Sequence, residues 1–466
     1  MKVSHIEIQS YLQFKDFSLD LTYPKGHEKQ GQPLDKVCFI GQSGTGKTSL
    51  LNLIKTIIID GSHIGKFANE SMHKVTADIV LGNNRANGRI TIENGNVKSE
   101  FIQKLNKYTL TPPKIEIEYF QFLNSQYQNQ NILVSFPAEM NTNLQSIFKP
   151  KTERGIVVSS NETNIPSSLN ENSLKYFDFE QSNIESVWNI ILDDIQKYKV
   201  AQLGFNNELS NRLNSKAIEI ETFLKDFQAW KAKNPNPLKE LADKLNPMLN
   251  RFFLEIKPEF DFKTADDLRF IQIYQKDGNQ EIPNSGWSTG TKQLIMTATP
   301  LLKLNTDKSV ILIDEPERSF YPDIQKDLMG FYRHLAPKAQ FFVATHSPII
   351  AASFDPWEII ELKFNEKGNI TQELYFQGEH HVDNYRVHPK YLRWDAILTQ
   401  LFDLEQDGMP DRQTKLQELA EMDVQLRKMK KANGKANQAE VNALWKRFKE
   451  TAVLLDWKIQ DYYEEN

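Results

Sequence analysis

Lys36-Val37-Cys38-Phe39-Ile40-Gly41-Gln42-Ser43-Gly44-Thr45-Gly46-Lys47-Thr48-Ser49 is the stretch that decides the fold of this chain. Its first five residues read as a buried strand. The next eight satisfy G-x-x-x-x-G-K-[ST] in full, and apolar residues at helical spacing follow from Thr48 to Ile59. In a strand–turn–helix setting the glycines let backbone N–H groups turn inward around the β- and γ-phosphates of a nucleotide. The helix N-terminus adds its positive end. Gly41, Ser43, Gly44, Thr45 and Gly46 are the candidate cradle, with Ser49 beside them. Lys47 is placed to reach the β/γ oxygens and Thr48 to set its hydroxyl on Mg²⁺.

A second apolar run, Ser309-Val310-Ile311-Leu312-Ile313, ends in Asp314-Glu315. A carboxylate at a strand end holds Mg²⁺ directly or through water, which assigns Asp314 to the metal. Glu315 is then placed to polarise an attacking water. Upstream, Trp287-Ser288-Thr289-Gly290-Thr291-Lys292-Gln293 sets small and hydroxyl residues at a helix start, a second anion site with Ser288, Thr289, Gly290 and Lys292 as candidates. Ala344-Thr345-His346-Ser347-Pro348 directly follows a further strand pattern, and there His346 would report a γ-phosphate.

Outward from these motifs, residues 3–9 and 14–21 alternate apolar and polar, as a hairpin does, and Thr76 to Val97 is strand-like with a turn at Asn94-Gly95. Lys114 to Phe122 reads as another strand. Residues 123–182 are rich in Asn, Ser and Gln and read as an insertion, followed by a helical arm from Ile184 to Trp230. Pro237 opens the next helix. Strands at 253–256, 268–274, 310–313 and 340–344, with helices from 289 and 323, argue for a parallel sheet with crossovers. From Tyr391 onward the pattern is helical and charged.

The 466 residues suggest two or three domains. A net charge of −5 excludes a surface that is basic throughout, so any nucleic-acid contact must be local. A hydrophobic fraction of 39% excludes wholesale disorder. The single cysteine, Cys38, excludes an internal disulfide or a cysteine-rich metal site. No apolar run is long enough to span a bilayer and the first residues lack a signal-peptide core, so the expectation is a soluble cytoplasmic protein with no membrane contact.

Together the four motifs resemble those of ABC-type ATPases, in the non-transporter branch that holds SMC/RecF-like and OLD-like proteins. Asp314-Glu315-Pro316-Glu317-Arg318-Ser319-Phe320-Tyr321-Pro322 is similar to that branch's D-E-P-E-x-x-L-H-P segment, with Phe320 and Tyr321 in place of Leu and His. His346 matches its switch histidine. Gln121 matches its Q-loop glutamine, a role in catalysis and metal binding, with Gln126 as the alternative. In the opening segment Leu12 stands where the family carries Arg. The resemblance implies an α/β fold, an ABC-type P-loop ATPase head of mixed or parallel sheet with flanking helices and an antiparallel β subdomain. It implies ATP and Mg²⁺ as cofactors and a homodimer or higher homo-oligomer. The head halves are expected at 1–120 and 255–370, a polar and helical insertion at 121–254, and a C-terminal helical region at 371–466.

The segment from Asp395-Ala396-Ile397-Leu398 through Arg412, Leu416 and Leu419 resembles the tail of ATPases in bacterial anti-phage operons of Septu or retron type. There the partner is a separately encoded nuclease, and this chain carries no nuclease motif visible in its sequence. A DNA-repair or chromosome-associated ATPase of RecF/SMC kind, acting on DNA directly, is the alternative. A transporter subunit fits less well, because far more chain separates Gly46 from Gly290 than a compact helical subdomain needs. The basic run Arg427, Lys428, Lys430, Lys431 and Lys435 reads first as a solvated helix face.

Overall fold

The computed structural model describes residues 1–61, 72–81, 86–94, 96–104, 131–140, 175–179, 184–214, 220–257, 272–278, 280–404, 409–431 and 438–457. They form two compact units, Met1–Trp394 and Asp395–Asn466.

Within the first unit, alternation builds one sheet and continuous apolar runs build the other. Strands β1 (Lys2–Tyr11), β2 (Phe14–Asp20), β4 (Met72–Leu81), β5 (Ala86–Glu93) and β6 (Asn96–Lys104) form an antiparallel sheet in the order β2-β1-β4-β5-β6. The register sets Ile6 opposite Leu19 and Ile8 opposite Phe17, so buried apolar residues of β1 and β2 share one face. The second sheet has seven strands. Its members are β3 (Lys36–Gly41), β7 (Asn131–Phe136), β8 (Lys175–Asp178), β11 (Val310–Asp314), β12 (Gln340–Ala344), β13 (Ile359–Phe364) and β14 (Ile370–Glu373), in the order β14-β13-β3-β12-β11-β7-β8. Every pairing is parallel except β13 with β14. A short antiparallel pair, β9 (Leu254–Ile256) and β10 (Ile273–Gln275), stands apart.

Helix α1 (Lys47–Gly61) joins the two sheets. Its Leu50, Leu53, Ile54, Ile57 and Ile58 share one buried cluster with Ile6, Ile8, Phe14, Val75 and Ile90 of the first sheet and Leu312, Phe342 and Ile360 of the second. Burial of each such side chain contributes about 1.5–3 kcal/mol. The fold class expected from the sequence is the one observed: an α/β head of mixed, mainly parallel sheet with flanking helices and an antiparallel β subdomain.

The stretch read as an insertion at 121–254 supplies two central-sheet strands, β7 against β11 and β8 against β7. Ile132, Leu133, Val134 and Phe136 are buried there, an apolar run submerged in polar sequence. The stretch also holds the helices α2 (Ile184–Asn214), α3 (Ile220–Lys233) and α4 (Pro237–Leu249) among its described residues. Phe205 stacks on Trp230 at 5.1 Å and Arg212 pairs with Asp226 at 3.7 Å, so α2 and α3 fold back on each other as a hairpin. Asn236 caps α4 and Pro237 takes its first position, as the sequence implied. The second compact unit begins at Asp395. Residues 371–394 are tied to the head by the β13–β14 pairing and a Lys390–Asp355 ion pair of 2.6 Å.

The head also holds α5 (Thr289–Lys303), α6 (Pro322–Leu335) and α7 (Pro348–Ala351); α8 (Trp394–Gln400) starts at the last residue of the first unit, and the second unit holds α9 (Pro410–Lys431) and α10 (Gln438–Leu454). Leu419, Met422 and Leu426 of α9 pack on Phe448, Ala452 and Leu455 to give it a small core of its own. No helix among the described residues is long and apolar enough to cross a membrane.

Candidate active site

The site lies where β3, β12 and β11 end side by side. β3 runs directly into the Gly-rich turn. Gly41 has φ +139°, and a Cβ there would sit 2.2 Å from the Leu362 carbonyl oxygen of β13. Gly46 has φ +79°, and its Cβ would meet the Phe14 ring at 2.9 Å. These two positions therefore need glycine for space and conformation together. Thr45 is fully buried, and its hydroxyl donates to the Gln42 carbonyl at 2.8 Å, bracing the turn from inside. The Lys47 ammonium donates to the carbonyl oxygens of Gly41 (2.8 Å) and Gln42 (3.0 Å).

Two strands along the sheet from β3, Asp314 ends β11. The Thr48 hydroxyl donates to its Oδ2 at 2.7 Å, which joins the start of α1 to the strand-end acid. Glu315 follows with φ +48°, a left-handed conformation that costs a non-glycine residue about 1–2 kcal/mol. Its N–H donates to the Ala344 carbonyl at 2.8 Å, so the strained turn is held against the end of β12. His346 lies just beyond, its N–H donating to Glu317 Oε1 at 2.8 Å.

A cleft of about 520 Å³ is lined by Ser43, Gly44, Gly46, Lys47, Thr48, Ser49 and His346, together with Leu12 and Gln13 from the β1–β2 turn. The structure thus gathers the phosphate loop, Asp314 and His346, with Glu315 next in chain to Asp314. A larger hollow of about 720 Å³ lies on the polar face of the antiparallel sheet, remote from these motifs in sequence.

The residues read from the sequence as a second anion site stand at the start of another helix. Ser288 caps α5, its Oγ accepting from Thr291 N at 3.0 Å, and Thr289, Gly290 and Lys292 form the first turn. Gly290 is buried, and a Cβ on it would come within 2.6 Å of the Ser319 carbonyl oxygen. None of these four residues lines the cleft of the phosphate loop. Gln121 and Gln126, and the strand expected at 114–122, lie outside the described residues.

Electrostatics mark the cluster as desolvated. Burial pushes the Asp314 carboxyl above its ordinary value, the Thr48 hydroxyl opposing and the Glu315 charge adding. Burial likewise raises Glu317, against hydrogen bonds from Thr345 and the His346 N–H. Lys47 is lowered by burial, with Asp314, Glu315 and Glu317 opposing. A hydroxyl and a carboxylate 2.7 Å apart are hard oxygen donors, so Thr48 and Asp314 fit Mg²⁺.

Sequence reasoning missed three contributors. Leu12 and Gln13 line the cleft, although Leu12 had stood out only by replacing the family's Arg; it has φ +50° and is 55% exposed. Glu317 anchors the His346 backbone, and its place two residues after Glu315 was the available signal.

A Gly-rich loop lining a cleft with His346, and joined through Thr48 to a strand-end acid, has the parts of a nucleotide site. The chain belongs to the family of AAA ATPase domains, whose model matches residues 1–351. Among solved structures it is similar to an SMC head bound to the C-winged helix domain of ScpA, at 10% identity, 80% of this chain, 97% of that chain and TM-score 0.44. It is also similar to an SMC head with an extended coiled coil bound to the C-terminal domain of ScpA from Pyrococcus furiosus (12%, 80%, 96%, 0.39). A third is the SMC head domain from Thermotoga maritima (10%, 80%, 99%, 0.39).

Proposed function

We propose that this chain binds and hydrolyses ATP in a head-to-head homodimer of ABC type, and that the dimer regulates a separately encoded nuclease in bacterial anti-phage defence. The observation that carries the ATPase reading is the 2.7 Å bond from Thr48 to Asp314, with Glu315 beside it and His346 on the same cleft. Thr48 and Asp314 would hold Mg²⁺, which would supply charge neutralisation to the phosphates. Lys47 exchanges its loop carbonyls for the β/γ oxygens, Glu315 takes the proton of the attacking water, and His346 contacts the γ-phosphate. Gln121 is the further candidate for ordering that water and the metal.

The separation of Ser288, Thr289, Gly290 and Lys292 from the cleft supports a two-fold arrangement in which each copy caps the other's nucleotide. ATP then favours the dimer by mass action. The test mixes Lys47→Ala with Ser288→Arg subunits. If both parents are inactive, one composite site of a mixed dimer is intact and part of the ATPase activity returns. No recovery in demonstrated mixed dimers overturns the arrangement.

The regulatory part is supported by the C-terminal unit, which has a small core of its own and exceeds what nucleotide chemistry requires. Purified chain is expected to hydrolyse ATP yet leave DNA and RNA uncut with Mg²⁺ or Mn²⁺. With its operon partner it forms a complex that truncation near Tyr391 weakens. Cleavage by the lone chain refutes this division of labour. The alternative reading is direct action on DNA as in RecF/SMC proteins, which predicts ATPase activity stimulated by DNA without any partner.

A further inference from the structure

We infer that Glu317 and Gln325 are positioning residues that hold the His346 loop against the acidic strand end, each through its own hydrogen-bonded strap. The inference rests on the reading that His346 acts at the γ-phosphate. His346 has an exposed side chain on the cleft, yet its backbone is pinned: its N–H donates to Glu317 Oε1 at 2.8 Å. The next residue is pinned independently. Ser347 Oγ donates to Gln325 Oε1 at 2.6 Å, and Gln325 Nε2 donates to the Phe320 carbonyl at 2.8 Å. Ser347 and Gln325 are both buried.

Both straps end on one short segment. Arg318 N–H donates to the Glu315 carbonyl at 3.1 Å and Phe320 N–H to the Glu317 carbonyl at 3.0 Å, so residues 315–320 form consecutive tight turns. A shift of the acid therefore carries the histidine loop with it, which preserves their mutual geometry. Folding alone does not explain the choice of a carboxylate at 317. Its Oε2 is buried without a hydrogen-bond partner among the described residues, a cost that a smaller polar or apolar side chain avoids.

The test compares wild type with Glu317→Ala, Glu317→Gln, Gln325→Leu, His346→Ala and the double variant Glu317→Ala/His346→Ala. Two quantities are read: steady-state ATPase kinetics, and amide hydrogen exchange at His346 and Ser347 in nucleotide-free protein. Glu317→Ala is expected to lower kcat by about tenfold or more with KM within about twofold. Glu317→Gln recovers kcat to within about threefold, because its amide oxygen accepts the same bond. The double variant is no slower than His346→Ala alone, since both changes act through one histidine. Exchange at His346 quickens in Glu317→Ala and stays near wild type in Glu317→Gln. If Glu317→Ala does not fold, Gln325→Leu carries the test with the same fall in kcat and faster exchange at Ser347. Wild-type kcat in the folded variants, losses that multiply in the double variant, or unchanged exchange would each overturn the inference. A wild-type protein that hydrolyses no ATP defeats the proposed function instead, and the exchange data still decide the straps.

Discussion

The two sheets of the head share one core but use their strands differently. β3, β11 and β12 are buried on both faces along almost their whole length, whereas β1 and β2 alternate buried and exposed residues. A strand covered on both faces has room for polar groups only at its ends. Gly41, Asp314 and the Thr345-His346 loop sit there, so the chemistry collects along the carboxyl edge of the parallel sheet. The antiparallel sheet keeps its polar residues on an open face, where Arg89 pairs with Asp78 at 2.7 Å. Its contribution to the site is the turn at Leu12-Gln13 and the Phe14 ring under Gly46. Burial on both faces thus concentrates function at strand ends, and burial on one face spreads polar groups where they serve solubility.

Substitutions at the parallel edge should have the largest effects. Glu315→Gln keeps the shape of the turn and removes the base, so ATP binds and persists while turnover falls by roughly 10²-fold or more. Lys47→Ala abolishes binding as well as turnover, which isothermal calorimetry and a phosphate-release assay distinguish. Wild-type turnover in Glu315→Gln would break the assignment of the acid. One step down, Leu312→Ala in the middle of β11 should cost about 2–5 kcal/mol by denaturant unfolding, because its side chain is buried inside the cluster that spans both sheets.

The junction between the sheets comes next. Gly46→Ala places a Cβ against Phe14 in a left-handed turn, and ~1–2 kcal/mol of strain should appear as weaker ATP binding. Adding Phe14→Ala relieves the contact but not the backbone strain, so recovery should be partial; full recovery would show that space alone demands the glycine.

Smaller again is Asp35→Asn, at the entry to β3. Burial raises its carboxyl, but hydrogen bonds and charge from Lys2 and Lys29, with Tyr23 helping, hold it well below the ordinary carboxylate range. A lowered folded value means stability that is present above the unfolded value of about 3.9 and is lost as pH falls toward the folded one. The variant should therefore be less stable at pH 7 by ~1 kcal/mol, and the gap should close on acidification below about pH 4. Last, Thr91→Ala on the polar face of β5 should change stability by no more than about 0.5 kcal/mol; a larger loss would mean that this face is not solvated.

Legibility followed the same contrast. β12 runs Gln340–Ala344 as its unbroken apolar pattern indicated, and Ser288 caps α5 at the expected position. Local signals sufficed because each element's own residues specify it. The strands β7 and β8 were hidden, since pairing with β11 joins segments far apart in sequence and the polar flanks masked a short apolar run. The straps at Glu317 and Gln325 were equally invisible: a glutamine on a helix and an acid in a turn carry no periodic signature.

By itself, then, the sequence determined the phosphate loop, the acid at the end of an apolar strand, the helix cap at Ser288 and the alternation that makes one sheet one-sided. Those are properties of neighbouring residues, governed by backbone conformation, hydrogen-bond donors and hydrophobic period. Tertiary structure alone decided that Thr48 meets Asp314, that Gly46 needs the space Phe14 leaves, and that Glu317 holds the backbone of His346. The physical reason is that these contacts depend on which strands lie side by side, and strand order is set by packing the whole core rather than by any residue's neighbours in the chain.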